Sequence, residues 1–246
     1  MGERFARIRR AKLAKHLYIF LKSIILCLMN ERLWNILTDS FFKILIPGIK
    51  ITIPLTIVSF SLSLIIGIFV ALIQFANVRV FKTISRFYIW VTRGTPILVQ
   101  LYVVFYGLPN LGIMIDPIPA AIFVFAFNEG AYSAETMRAA FESVSPGQIE
   151  AGYCVGMSYP QIIWHIVLPQ AFRTAFPPLS NSLIAMVKET SLAANITVAE
   201  MFMATQRIVA RTYEPLALYI EVALIYLVFC TVLTRLQHFG EKKLNV

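Results

Sequence analysis

Amide and ionisable side chains stand inside long apolar stretches of this sequence, a costly placement unless they face protein or water. Asn128, Tyr132 and Glu135 follow an i, i+4, i+7 spacing and would share one face of a helix. Asn181 and Lys188 share a helical face further along the chain in the same way. Two such faces can line a path for a zwitterion, because its carboxylate needs hydrogen-bond donors and its ammonium needs acceptors.

Charged side chains near these faces match both ends of a zwitterion. Lys188 and Arg93 can receive a carboxylate, and Glu129 and Glu189 can receive an ammonium. Lys188 and Glu189 are adjacent, so on a helix they point about 100° apart and cannot both face the same path. We predict that the path includes Gln100, Asn128, Asn181, Lys188, Glu189 and Thr190.

Each of these side chains also has a purely structural interpretation. Glu135 and Arg138 lie at i, i+3 and can pair with each other, while Arg93 can anchor a helix at the headgroup boundary. The amides of the predicted path can join neighbouring helices by hydrogen bonds. The spacing alone leaves both interpretations open.

The composition of the 246 residues is that of a polytopic membrane protein: 58% are hydrophobic, 14% are charged and the mean hydropathy is +0.73. Soluble domains carry about a quarter charged residues. The net charge of +9 comes from cations that gather before and between the apolar runs. That distribution is typical of the flanks of membrane helices, so we predict a lipid bilayer as partner and no nucleic acid.

Five apolar segments are long enough to cross a membrane, and we predict an all-α, polytopic fold with about five transmembrane helices. The segments are residues 51–76, 94–115, 118–134, 171–196 and 215–234. We divide the chain into a basic N-terminal extension (1–43), a transmembrane domain (44–240) and a tail (241–246). The extension contains a short apolar stretch, residues 17–29, which is either an amphipathic interfacial helix or an extra short crossing.

Basic residues in the connections orient the spans. The connection after the first span carries Arg79, Lys82, Arg86 and Arg93, whereas the one after the second holds only Asp116. By the positive-inside rule, the basic connections and the C-terminus are cytoplasmic. The N-terminal extension is also basic, although five spans would leave it outside. A crossing at residues 17–29 would resolve this conflict.

The connection at about residues 142–165 has signals for two short helices. Ser145-Pro146-Gly147-Gln148 predicts a helix start, with serine as the cap, proline in the first turn and Gln148 in a capping box. Gly152 and Gly156 permit a tight turn, and Ser158-Tyr159-Pro160-Gln161 predicts a second start. The result is a helix–turn–helix knob on the cytoplasmic face, or else an ordinary amphipathic connector.

The sequence has none of the patterns that carry catalysis. It contains no phosphate-binding G-x-x-x-x-G-K-[ST] loop and no Gly-Lys pair. No serine–histidine–aspartate or paired-carboxylate arrangement stands out. The cysteines and histidines are scattered along the chain: Cys27, Cys154, Cys230, His16, His165 and His238. We therefore predict no catalytic residue, no metal site and no cofactor.

The connection at 142–165 resembles the cytoplasmic coupling loop of permease subunits in ATP-binding-cassette (ABC) importers, and we call it the coupling loop. The resemblance rests on Glu150-Ala151-Gly152, Gly156 and Leu168-Pro169 at their spacing, with Gly152 where the family more often has alanine. Further matches, to the polar amino acid uptake branch, are Arg93-Gly94-Thr95-Pro96, Asn128, Glu135, Arg138, Asn181 and Lys188-Glu189-Thr190.

This resemblance implies the transmembrane domain of a type I ABC importer in the bacterial cytoplasmic (inner) membrane. It also implies three partners: ATPase subunits that bind the ATP, an extracytoplasmic amino acid-binding protein, and a second permease copy in a homodimer or related heterodimer. The residues that would couple to the ATPase are Glu150, Ala151, Gly152, Gly156, Leu168 and Pro169. Those with a structural or gating role would be Arg93, Gly94, Thr95, Pro96, Glu135 and Arg138.

The function expected from the resemblance is ATP-driven import of a polar amino acid of the cystine or glutamine type, by a subunit without catalytic activity. The competing hypothesis is an ion-coupled secondary transporter that uses Glu129, Glu135 and Lys188 as a relay. Such carriers often show two repeated halves, and no internal repeat is evident in this sequence.

Overall fold

The structure is a computed structural model that describes residues 31–75 and 79–244. Within these ranges all regular structure is helical, in agreement with the all-α prediction. The α-helices are α1 (Glu31–Pro47), α2 (Ile53–Phe75), α3 (Arg79–Gly94), α4 (Ile97–Tyr102), α5 (Pro117–Glu142), α6 (Pro146–Cys154), α7 (Tyr159–Ile162), α8 (Leu168–Glu189), α9 (Met201–Thr212) and α10 (Pro215–Leu244). Short π and 3-10 segments join several of them: Gly48–Thr52, Val103–Gly107, Leu108–Leu111, Ile163–Val167 and Thr190–Ile196.

Helices α1 and α2 form one continuous rod through a π turn at Gly48–Thr52. Pro54 lacks an N–H and its ring crowds the preceding turn, which accounts for wider winding at this point. By length and composition alone, this rod (Glu31–Gln74) and α10 are the described helices that are both long enough and apolar enough to cross a membrane. The predicted boundary between residues 43 and 44 thus falls inside a helix, and the predicted short helix at 17–29 lies outside the described residues.

Helices α2 and α5 pack side by side and run in the same direction at the centre of the bundle. Leu55 shares an apolar cluster with Ala121, and Ala71 shares another with Met137. Between these two levels Gly67 lies against Ser133, and small residues at such crossings allow two membrane helices to approach closely. Helix α5 therefore provides a fixed wall, and it extends beyond the predicted third span of 118–134.

The predicted second span, 94–115, is wrong as a single helix. The chain breaks at Thr95-Pro96, and the apolar helical run that follows, Ile97–Leu111, is too short to cross alone. Residues 79–93, which we predicted to be a cytoplasmic connection, instead form α3. Its buried residues Ser85, Ile89 and Thr92 repeat at i, i+4, i+7 and pack it into the bundle.

The predicted fourth span, 171–196, also ends early. Helix α8 stops at Glu189, a 3-10 segment follows, and Thr197 reverses the chain with a φ of +66°. Glu200 then caps α9, accepting hydrogen bonds from the backbone N–H groups of Phe202 and Met203 and from the Tyr226 hydroxyl. The sequence did not predict α9, which turns back along α1.

The coupling loop and the end of α10 lie at the same end of the bundle. Gly240 near the end of α10 packs against Phe176 in the first half of α8, which begins directly after the loop. Ala71 near the end of α2 shares an apolar cluster with Ile162 and Val167 of the loop region. The end of α10, the end of α2 and the coupling loop therefore occupy one face of the bundle, which we call the loop end.

Candidate functional site

The coupling loop begins with α6, whose first residue is Pro146 and whose N-cap is Ser145. This is the start that the sequence predicts, and proline there loses no helical hydrogen bond. Ser145 makes no side-chain cap bond, so the capping box predicted with Gln148 does not form. The box forms at the second start instead, where Ser158 N–H and Ser158 Oγ both donate to Gln161 Oε1, at 2.8 and 2.9 Å.

A left-handed turn at Gly156 joins the two short helices. Gly156 has a φ of +82° and donates to the carbonyl of Tyr153 at 2.9 Å, while Met157 donates to the carbonyl of Gly152 at 3.0 Å. These two bonds form a Schellman motif, which satisfies the last carbonyls of α6. Glycine is suited to this position because a side chain is strained in the left-handed region.

Gly152 serves packing and not the turn, so the turn role predicted for it is wrong. It lies buried inside α6, and a Cβ added there would fall 2.9 Å from Ile162 Cγ1 and 3.1 Å from Ile166 Cδ1. The missing side chain lets the π segment after α7 lie directly on α6. The two short helices are therefore packed into one unit.

This unit rests on the end of α5 and leaves one face open. Ile162 and Val167 share an apolar cluster with Phe141 and Val144. Glu150 and Ala151 are exposed on α6, while Leu168 is half-buried and Pro169 is exposed at the start of α8. Partial burial raises the pKa of the Tyr159 hydroxyl, which therefore stays a neutral hydrogen-bond donor and acceptor. The exposed face of α6 is available to a partner.

A cleft of about 600 Å³ opens halfway along α5, between the α3–α4 link and α8. Its lining combines charged, polar and small residues: Arg93, Gly94, Thr95, Pro96, Ile97, Asn128, Glu129, Tyr132, Ser182, Ala185 and Glu189. Predicted residues from three distant parts of the sequence thus meet at one place.

The positively charged side chain of Arg93 forms one wall of the cleft. The guanidinium of Arg93 lies 5.2 Å from the centroid of the Tyr132 ring, and its Nη1 is 3.5 Å from Glu135 Oε2. Glu135 is shared, because Arg138 Nη2 lies 3.2 Å from the same oxygen. Arg138 also pairs with Glu142 at 2.7 Å. The predicted pairing of Glu135 with Arg138 is present, and Arg93 joins it as a third member.

Two carboxylates occupy the other walls. Glu129 on α5 is 9% exposed, accepts a hydrogen bond from Ser133 at 3.3 Å and faces the hydroxyl of Ser182 on α8. Glu189 lines the same cleft at the end of α8. The cleft therefore presents a donor-rich cation and acceptor carboxylates to one volume.

Hydrogen bonds hold the α3–α4 link against α5. Gln100 Nε2 donates to the carbonyl of Thr92 and to Thr95 Oγ1, at 2.9 and 2.8 Å. Asn128 Nδ2 donates in turn to Gln100 Oε1 at 3.1 Å. These two amides do join helices, and Asn128 lines the cleft as well.

The structure separates the remaining predicted path residues from this cleft. Lys188 lines a second cavity, of about 690 Å³, together with Tyr219, Tyr226 and Cys230. This agrees with the expectation that Lys188 and Glu189 point apart. Asn181 is exposed on α8, and the buried Thr190 donates to the carbonyl of Val187 at 2.7 Å.

The face of α8 that lines the cleft is not the one through Asn181 and Lys188. Ser182, Ala185 and Glu189 line it, at i, i+3, i+7. Ser182 was not among the predicted path residues, although its i, i+7 spacing from Glu189 would place both side chains on one helical face.

Comparisons with known proteins agree with this arrangement. Residues 63–246 match the family described as binding-protein-dependent transport system inner membrane component. The chain is 44% identical over 213 residues to the L-cystine transport system permease protein TcyB of Bacillus subtilis (strain 168), which covers 86% of this chain and 91% of that protein. It is 35% identical over 202 residues to the arginine transport system permease protein ArtQ of the same organism, over 82% and 92% of the two chains.

A solved structure shows the same architecture. The crystal structure of an amino acid ABC transporter with histidines aligns with a TM-score of 0.78 and 32% identity, over 84% of this chain and 96% of that chain. The predicted fold class, a type I ABC importer transmembrane domain with about five transmembrane helices, is thereby confirmed. The predicted absence of an enzymatic role also follows from the family, whose members transport with a partner ATPase and a binding protein.

The family match covers most of the chain, including the coupling loop and the cleft-lining parts of α3, α5 and α8. It favours ATP-driven import over the ion-coupled alternative. The chain therefore belongs to the binding-protein-dependent transport system inner membrane components, the multi-pass permease subunits of ABC importers.

Proposed function

We propose that this permease imports a polar amino acid of the cystine or glutamine type, and that the cleft beside α5 is part of its path. The observation that carries the proposal is the cleft itself, which is lined by Arg93 together with Glu129 and Glu189. Its volume of about 600 Å³ lies within the range of about 300–1,000 Å³ that is usual for small-ligand sites. The similarity to the cystine permease TcyB supports the substrate class.

The charges of the cleft fit an α-amino acid. The Arg93 guanidinium can hold a carboxylate through two parallel hydrogen bonds, and the two carboxylates can accept from an ammonium. Arg93 can exchange its present partner, Glu135, for the carboxylate of a substrate, because Glu135 also pairs with Arg138. When Arg93 turns to a substrate, Glu135 keeps a cation. The exchange therefore leaves no carboxylate unpaired.

The coupling loop would transmit a conformational change of the ATPase subunits to the helices that line this cleft. Its exposed face, with Glu150 and Ala151, suits a groove on an ATPase subunit, in the manner of other helix-in-groove contacts. The loop is anchored to the end of α5, the helix that also provides Asn128 and Glu129. In our proposal two permease copies enclose the path, the C-terminus is cytoplasmic, and ATP binding shifts the population between inward and outward openings.

The test is uptake in proteoliposomes that contain the chain, its ATPase subunits and its binding protein. We expect ATP-driven accumulation of labelled cystine or glutamine, and a loss of at least tenfold in Arg93→Gln and Glu189→Gln. Arg211→Gln is the matched control, because Arg211 is exposed on α9 and lines neither cavity. Its uptake should equal that of the unmodified chain.

Lys188→Gln decides between the two cavities. If uptake survives in Arg93→Gln and Glu189→Gln but is lost in Lys188→Gln, the path runs through the second cavity and the cleft is not the site. If uptake needs no ATP and follows the proton gradient, the transport mechanism itself is different from the one proposed.

A further inference from the structure

A narrow apolar groove lies between α2, α8 and α10 on the side of α8 away from the cleft. It has a volume of about 350 Å³, and its apolar lining includes Phe60, Phe172, Leu183 and Leu236. Its polar lining residues, Ser180 and Gln237, are already hydrogen-bonded, to the carbonyl of Phe176 and to Glu241. An occupant of this groove therefore has to be apolar.

The length of the groove matches one extended hydrocarbon chain. Along α8 it runs from Phe172 to Ile184, which is about 18 Å at 1.5 Å per residue. One leaflet of a bilayer has a hydrocarbon depth of about 15 Å. An acyl chain that extends from the headgroup to the middle of the bilayer therefore has the length of this groove.

The groove opens on the apolar outer surface of the bundle. The side chains at its rim are well exposed, with Phe172 at 56% and Leu236 at 60%. The flanking helices also expose large apolar side chains, with Phe69 on α2 and Val232 on α10. Extensive exposed apolar surface of this kind marks a region that faces lipid or another apolar partner.

Cations stand at the loop end of the groove. Arg173 lies one helical turn before Phe176 on α8, and Lys243 lies one turn after Gly240 on α10. Phe176 and Gly240 pack against each other, so both cations are on the loop-end side of this contact. Both are exposed, and within the described ranges neither has an ion-pair partner. Such cations attract anionic lipid headgroups.

We propose that this groove is a binding site for an anionic phospholipid of the leaflet at the loop end. One acyl chain lies in the groove beside α8, and the headgroup phosphate pairs with Arg173 and Lys243. A phospholipid is favoured over an acidic segment of a second copy because the groove is lined by apolar side chains and its polar residues are already paired, so it suits a hydrocarbon chain and leaves the charge to the cations. The site is independent of the substrate cleft, which lies on another face of α8.

Tryptophan quenching by brominated lipids tests this proposal in the assembled transporter with its ATPase subunits. Trp34, Trp90 and Trp164 are first replaced by Phe, and Phe172→Trp then places a reporter at the rim of the groove. Phe69→Trp is the matched reporter, because Phe69 is 66% exposed on α2 and does not line the groove. Vesicles of phosphatidylcholine contain either brominated phosphatidylglycerol or brominated phosphatidylcholine.

We expect the Phe172→Trp reporter to be quenched several-fold more efficiently by the anionic brominated lipid than by the zwitterionic one. The Phe69→Trp reporter should show no such preference. Combining Arg173→Gln with Lys243→Gln should remove the preference at position 172, whereas Lys242→Gln, next to Lys243 but on another face of α10, should keep it. Each quenching measurement is made on the isolated, assembled complex, so a variant that fails to fold does not contribute to the signal.

Two outcomes would overturn the proposal. Equal quenching by both lipids at position 172 would mean that the groove is ordinary lipid-facing surface. A position 172 that neither lipid quenches would mean that protein covers the groove, as a second permease copy would. Neither outcome depends on transport, so both can be distinguished from a failure of the proposed import function.

Discussion

The coupling loop and the cleft are built by opposite means. In the loop, the contacts that join the two short helices are between residues close in sequence: Ser158 with Gln161, Met157 with Gly152, and Gly152 with Ile162. In the cleft, the contacts join α3, α5 and α8, as Arg93 with Glu135 and Glu129 with Ser182. The loop is a locally determined unit, whereas the cleft exists only when distant helices pack.

The two regions also differ in how firmly their parts are held. The loop is fixed by backbone hydrogen bonds and by direct apolar packing, which change little without unfolding. At the cleft, by contrast, the charge of Arg93 has a shared partner, since Glu135 contacts both Arg93 and Arg138. In our proposal the loop transmits force from the ATPase, and the exchangeable charges at the cleft meet the substrate.

The largest effect is expected where the loop is packed most tightly. In Gly152→Leu the added side chain would collide with Ile162, and overpacking of this kind costs about 1–3 kcal/mol. We expect the two short helices to separate and ATP-driven uptake to fall at least tenfold. Gly147→Leu adds the same side chain to α6 at a place where the nearest atom, Ser145 Oγ, is 3.7 Å away. Equal uptake in the two variants would show that the packing of α6 on α7 is unimportant.

A smaller effect is expected at the turn. In Gly156→Ala the side chain has open space, but the φ of +82° remains, and the left-handed region costs other residues about 1–2 kcal/mol. Amide hydrogen exchange at Met157 should become roughly tenfold faster, because its bond to Gly152 closes the turn. Gly94→Ala serves as control, since Gly94 also has open space and no positive φ. If amide hydrogen exchange at Met157 were unchanged, the claim that short-range contacts hold the loop together would be contradicted.

The smallest effect is expected at Glu135, the ion-pair partner of the cleft residue Arg93. If Arg93 leaves Glu135 to bind substrate, then Glu135→Gln removes a competitor and should lower the KM for uptake. A partly exposed ion pair contributes about 0.5–1 kcal/mol, which corresponds to a two- to fivefold change. Glu142→Gln is the control, because Glu142 pairs with Arg138 and lies outside the cleft lining. A raised KM in Glu135→Gln would show that Glu135 positions Arg93 for substrate instead of competing for it.

The sequence by itself determined the features that depend on local chemistry. Hydropathy located α2, α5, α8 and α10, because a membrane helix satisfies its own backbone and needs only a long apolar run. The starts at Pro146 and Tyr159 followed from serine, proline and glutamine positions within single turns. The coupling-loop spacing pointed to the ABC permease family, and the comparisons confirmed it.

Only the tertiary structure decided the rest. Helix α3 escaped the hydropathy pattern because its cations lower the average, although packing buries Ser85, Ile89 and Thr92. Helix α9 begins at Met201 because Glu200 caps it, and Glu200 can be buried there because it accepts a hydrogen bond from Tyr226 on another helix. The choice of Glu189 over Lys188 for the cleft depends on how α8 is rotated against α5. Such a rotation is set by the packing of whole helices, and no short stretch of sequence contains it.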